Sequence, residues 1–201
     1  MPYPDPGARI PCLEWSLAAR GFFVALSSRT VGGPGKGGSG LGCKYITMLG
    51  RSGWALVNSY YAAVRERGYK PDEVVIFAEE GTSGGLGAAS AGIRAVSTKY
   101  GFEPAVRGEV VRDGGFIEAG RKIAEIIKSW KAEGNKIAVD ITPGRKALVA
   151  GAMMPLNKVW VDHLFYLEID DTCDCAKPYM MIPLGRQTFR DFIEEAGAQD
   201  Q

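Results

Sequence analysis

The sequence predicts an α/β protein with a mainly parallel sheet and helices on both faces. Three observations lead there. Short apolar runs rich in β-branched residues alternate along the chain with longer segments of helical periodicity, the pattern of successive strand–helix–strand units. The run Ile137 to Ile141 is continuously apolar apart from Asp140, and too short for an ordinary helix, as expected of a strand covered on both faces. A length of 201 residues, with 46% hydrophobic and 23% charged residues, suits one soluble domain with a real core.

Residues 1–42 are unlike the rest. Val31 to Gly42 reads VGGPGKGGSGLG, with seven glycines in twelve positions, and Pro2, Pro4, Pro6 and Pro11 crowd the start. The expectation is a flexible N-terminal arm or a start assigned too early, with residues 43–201 forming the folded domain. Arg9 to Ser28 has length for a short helix but carries no chemistry.

From Lys44 the pattern is regular. Lys44 to Leu49 predicts the first strand, ended by Gly50-Arg51-Ser52-Gly53. Trp54 to Arg67 is a helix with Trp54, Val57, Tyr61 and Val64 on one face, stopped by Gly68. Glu73 to Ala78 is the second strand and Ser83 to Tyr100 a Gly- and Ala-rich helix. Pro104 to Val111 is the third strand, followed by a helix from Phe116 to Lys131 with Phe116, Ile123, Ile127 and Trp130 inward. The fourth strand runs to Ile141; Thr142-Pro143-Gly144 breaks it, and Arg145-Lys146 leads into a helix, Ala147 to Met154, closed by Pro155. Val159 to Ile169 is expected as a fifth strand, Tyr179 to Leu184 as a last strand and Thr188 to Glu195 as a closing helix.

In such sheets ligands lie beyond the carboxyl ends of the strands, where the winding reverses. Two loops qualify, Gly50 to Gly53 and Thr142 to Lys146, and they are expected to converge. Cations at a helix start oppose the helix dipole, so Arg145 and Lys146 ask for an anion, and phosphate suits the free N–H groups of such a turn. Neither loop is a known nucleotide fingerprint. GxGxxG is incomplete at Gly50, and Ala147 stands where a Walker loop needs Ser or Thr, which argues against a dinucleotide oxidoreductase.

Other chemistry is sparse. The one histidine, His163, lies in an apolar strand and is read as structural. Glu79, Glu80 and Asp140 raise a metal site, but no carboxylate–histidine cluster has metal spacing, so no metal and no cofactor are expected. Asp170, Asp171 and Asp174 read as a solvated turn. Cys173-x-Cys175 with one histidine falls short of a zinc signature. Net charge is +1, which gives no field for a long nucleic acid. No apolar run reaches membrane-spanning length, and with no signal-peptide pattern the expected compartment is the cytoplasm. Asn and Gln total six, which leans toward a thermophilic source.

LGRSGWALVNSYYAAV and DITPGRKAL together resemble the CRISPR-associated Rossmann-fold (CARF) domains, and within them the stand-alone archaeal ring nucleases of type III CRISPR systems. The resemblance runs from about Lys44 to Phe192. It implies a Rossmann-like three-layer sandwich, a homodimer, and a cyclic oligoadenylate, most often cyclic tetra-adenylate, bound across the dimer axis and cleaved. It implies catalytic roles for Ser52 and Lys146. Gly50, Arg51, Gly53, Thr142, Gly144 and Arg145 would bind ligand, with Arg112 as a further covering arginine. Pro143 departs from the family's commoner Gly or Thr. The resemblance covers no appended effector domain, so the chain is expected to act on the ligand itself. The alternative is a non-catalytic sensor that signals through a separate partner.

Overall fold

Alternation along each strand sets the layers. In the computed structural model, which describes residues 42–155 and 161–199, β1 (Cys43–Leu49) sends Tyr45 and Leu49 to one face and Ile46 and Met48 to the other, all buried. β2 (Glu73–Glu79) divides likewise, with Val74, Ile76 and Ala78 against Val75 and Phe77. β4 (Lys136–Asp140) sends Ala138 one way and Ile137 and Val139 the other. A strand with two apolar faces needs cover on both.

The cover comes from helices on each side. α1 (Gly53–Arg67) and α2 (Leu86–Lys99) close the first face through Leu56, Tyr60, Ala63, Ala89 and Ile93. α3 (Phe116–Ala132) and α4 (Lys146–Met153) close the second through Ile123, Ile127, Leu148 and Ala152. α1 ends where Gly68 takes the left-handed conformation, φ 62°, which glycine adopts without strain. Together with β3 (Ala105–Val111), β5 (His163–Ile169) and β6 (Gln187–Asp191), the strands form one sheet in the order β3-β2-β1-β4-β5-β6. The first five are parallel and β6 is antiparallel to β5. The result is the α/β three-layer, Rossmann-like sandwich that the alternation predicts.

α3 and α4 approach unusually closely. A Cβ on Gly120 would lie 2.1 Å from the Gly151 carbonyl oxygen, and one on Gly151 would lie 2.5 Å from the Phe116 oxygen. The small residues of α4 thus serve a contact within the chain.

Four boundaries differ from the sequence expectation by more than one residue. The segment Glu80–Gly85 is a 3-10 turn and α2 begins at Leu86. Thr82 and Ser83 hydroxyls donate to the Glu79 and Glu80 carbonyls, competing with a regular helix start. Tyr179 to Leu184 is no strand: Pro178 and Pro183 divide it into 3-10 turns, Tyr179–Met181 and Leu184–Arg186. The last strand is instead β6, where a helix was expected; Gln187, Phe189 and Asp191 are buried in alternation, and α5 (Phe192–Gln199) starts only after it. β5 begins at His163; the expected start at Val159 and the arm residues 1–41 lie outside the described residues.

His163 lies at the amino end of β5, away from the carboxyl-edge loops. Its Nδ1 is 2.6 Å from Asp191 Oδ2, and its ring stacks on Phe165. Burial pushes the Asp191 pKa up, but the His163 contact and the N–H groups of Leu164 and Ile193 outweigh burial and hold it below its usual 3.8. A depressed carboxylate pKa contributes stability above the unfolded value, and that contribution is lost as pH falls through the folded value. Asp191→Asn is therefore expected to cost about 2 kcal/mol at neutral pH. The gap from wild type should close as pH drops below the ordinary carboxylate range. Denaturant titrations at neutral and acid pH check this, and a gap unchanged with pH would refute it.

Candidate functional site

β1 and β4 are neighbours, with Thr47 beside Asp140 in register. From β1 the chain winds outward to β2 and β3, and from β4 it winds the opposite way to β5. The carboxyl ends of β1 and β4 therefore bound the crevice where ligands of open parallel sheets are found. The loops that leave them touch: a Cβ on Gly50 would fall 2.0 Å from the Pro143 carbonyl oxygen. Glycine at 50 is required by that approach. Gly144 is hemmed in similarly, its would-be Cβ 2.6 Å from Val149 and 3.1 Å from the Met48 sulfur.

A buried carboxylate holds the second loop. Asp140 is fully buried; its Oδ1 accepts from Thr142 N–H at 2.9 Å, and its Oδ2 accepts from Ser59 Oγ at 2.6 Å and Thr47 Oγ1 at 3.1 Å. Burial pushes its pKa up, against the opposing pull of these donors. Thr142 Oγ1 in turn accepts from Leu167 N–H at 2.8 Å. One loop is thereby tied to β1, α1 and β5, and the cations that follow it are presented from a rigid base.

Those cations differ. Arg145 Nη1 donates to Glu79 Oε2 at 2.9 Å, and Glu79 is 1% exposed. The other Glu79 oxygen accepts from Gly114 N–H at 3.4 Å, so this carboxylate links β2, the loop after β3 and the loop after β4. Lys146 and Arg51 are exposed and have no hydrogen-bond or ion-pair partner among the described residues. Ser52 caps α1, its Oγ accepting from Ala55 N–H at 3.4 Å, and Gly53 opens the helix. No side chain caps α4, and neither helix has an acidic residue in its first turn. Two positive helix ends and two uncompensated cations thus share one edge, an arrangement suited to a phosphate-bearing anion.

The structure brings Gly50, Arg51, Ser52 and Gly53 together with Thr142, Gly144, Arg145 and Lys146. It leaves Arg112 apart. That residue follows β3, two strands from β1, or roughly 10 Å at ordinary strand spacing, and pairs with Glu118 at 3.5 Å. Glu79 and Asp140 form no metal set: among the described residues, no three His, Cys, Asp or Glu side chains are placed to hold an ion. The two carboxylates instead position the loop and its arginine. The sequence carries a signal for them, since each ends an apolar run, where a buried charge must find a partner.

No known family's sequence profile matches the chain, and no curated protein matches it. Among solved structures it is similar to "Structure of a Type III CRISPR defence DNA nuclease activated by cyclic oligoadenylate", with a TM-score of 0.50 and 15% identity. The match covers 75% of this chain and 22% of that one. At that identity the likeness is one of fold, and the chain spans about a fifth of the neighbour's length.

Proposed function

We propose that this chain is a CARF-type ring nuclease of type III CRISPR signalling that binds cyclic tetra-adenylate and cleaves it without a metal. The observation that carries this reading is the junction of the β1 and β4 loops, where Gly50 meets Pro143 and leaves Lys146 and Arg51 uncompensated. The fold shared with a cyclic-oligoadenylate-activated nuclease supports the ligand class. A two-fold homodimer would lay matching loops against both halves of a ring that itself has two-fold symmetry.

In the proposed reaction a ribose 2′-oxygen attacks the adjacent 3′-phosphate and the bond to the 5′-oxygen breaks. The 2′-hydroxyl proton passes to solvent and the leaving oxygen takes one up. The products are linear di-adenylates bearing a 2′,3′-cyclic phosphate and a 5′-hydroxyl. Lys146 neutralises charge growing on the phosphorane, while Ser52 and the loop amides hold the sugar and phosphate in line. With no general base assigned to the step, turnover is expected to be slow.

Chromatography of cyclic tetra-adenylate after incubation with protein in EDTA tests the reading. Linear di-adenylate is the expected product; unchanged ring with tight binding identifies the non-catalytic sensor, and absence of both binding and products refutes the ligand class. One observation favours the sensor: Ser52 Oγ already accepts the helix-capping bond. A hydroxyl that accepts can still donate, so its proton remains available to a phosphate oxygen.

Glu79→Gln is a further check on the site. It removes the countercharge from Arg145, whose side chain is 44% exposed and can turn to solvent, so the expected stability loss is about 1–2 kcal/mol. Ring binding should tighten several-fold and become more salt-sensitive. Isotherms at two salt concentrations measure both. Unchanged affinity would mean that Arg145 does not meet the ligand.

A further inference from the structure

Among the described residues β3 is an edge strand, paired with β2 on one side alone. In a parallel ladder a residue that bonds its neighbour sends both backbone groups that way, and the next residue sends both outward. Ala105 N–H donates to the Asp72 carbonyl, so Ala105, Arg107, Glu109 and Val111 face β2. Val106, Gly108 and Val110 therefore present their N–H and C=O groups at the open edge. The guard there is light. The Arg94 guanidinium reaches the Val106 carbonyl at 3.5 Å, and Val110 is 46% exposed.

The strand reads Ala-Val-Arg-Gly-Glu-Val-Val, which is symmetric about Gly108 in its apolar residues and antisymmetric in charge. If a second copy lies antiparallel with Gly108 opposite Gly108, Val106 meets Val110 in hydrogen-bonded pairs that use every outward backbone group. Arg107 then meets Glu109 of the second copy in the non-hydrogen-bonded pairs, where side chains stand closest, at a Cα separation of about 4.5 Å. A two-fold centred on Arg107 or Glu109 would set like charges face to face. One centred on Val106 or Val110 would leave both charges without a partner of opposite sign within β3. Arg107 already bonds Glu73 and Glu109 of its own chain, so the symmetric pairing completes an alternating cluster of charge.

We propose that β3 is a self-association edge, joining two copies antiparallel about a two-fold axis through Gly108 so that their six-stranded sheets become continuous. This surface is two strands from the β1–β4 junction and does not depend on the ligand reading. A seven-residue edge buries less than a standard interface, so the association is concentration-dependent.

Sedimentation of the full chain over a concentration series, with no nucleotide present, tests it. Wild type is expected to associate. Val110→Pro removes an outward N–H and leaves the bonds to β2 in place, so its melting temperature should stay near wild type while association falls at least about tenfold. A second variant, Arg107→Cys with Glu109→Cys, is expected to form a covalent dimer on oxidation well above the wild-type level, and decides the matter should the proline variant fold poorly. A wild type that stays monomeric, a folded Val110→Pro that associates as strongly as wild type, or a double-cysteine chain that does not cross-link beyond wild type would overturn the proposal.

Discussion

Lys146→Ala is expected to slow cleavage of cyclic tetra-adenylate by about a hundredfold or more, comparable to the loss of one oxyanion donor. The ammonium sits at the first residue of α4, exposed and without a partner among the described residues, so nothing competes with a phosphate for it. In the proposed step the phosphorane carries more negative charge than the phosphate it comes from. An interaction that strengthens toward the transition state lowers the rate more than the affinity when removed. Binding should weaken less, because Arg51, the uncapped start of α4 and the second subunit of the proposed dimer remain. Ser52→Ala should lower both moderately and, by removing the cap of α1, cost about 1 kcal/mol of stability. Single-turnover cleavage measured beside a binding isotherm separates the two effects. Cleavage at the normal rate by Lys146→Ala would reduce that lysine to a clamp and overturn the assigned mechanism.

Gly120→Val should destabilise the protein by about 3 kcal/mol or more, lowering the melting temperature by roughly 6–12 °C for a chain of this size. The added Cβ would meet a backbone oxygen of Gly151 at 2.1 Å and its carbon at 2.9 Å, atoms that can yield only if α4 moves as a body. Since α4 begins at Lys146, the same shift should disturb the ligand loop. Gly197→Ala is the contrast: nothing lies within 4 Å of its would-be Cβ, and the residue is helical. That change should raise stability by up to about 1 kcal/mol. Thermal melts of both decide, and a Gly120→Val protein melting like wild type would mean the two helices are not held as close as the structure has them.

The sequence made the architecture legible wherever burial and periodicity agree. β1, β2 and β4 are apolar on both faces, and α3 carries a clear helical stripe, so their limits were readable to within a residue or two. The carboxyl-terminal part was not. Asp191 and Gln187 are polar residues on the buried side of β6, the first held by a histidine and the second donating its amide N–H groups to loop carbonyls, so alternation of hydrophobicity is absent there. The two loops of the candidate site were readable as loops because each is a glycine-containing break between a strand and a helix. The roles of Glu79 and Asp140 were not, because both depend on contacts from residues 66 and 93 positions away, Arg145 and Thr47. Charge counting along a chain cannot show which cation is already answered.

If the proposed ring ligand and two-fold pair hold, the Arg145–Glu79 pair has a consequence for selectivity in a crowded solution of metabolites. With Arg145 compensated by a carboxylate at 2.9 Å, an isolated phosphate at this edge meets two free cations rather than three in each copy. Ordinary mononucleotides present one phosphate cluster and engage one copy. A ring that reaches both copies gains the second set of contacts within a single complex, with the effective concentration of an intramolecular event. The ring forgoes Arg145 in both copies, so its margin over small competitors comes from meeting four free cations in one complex where a mononucleotide meets two.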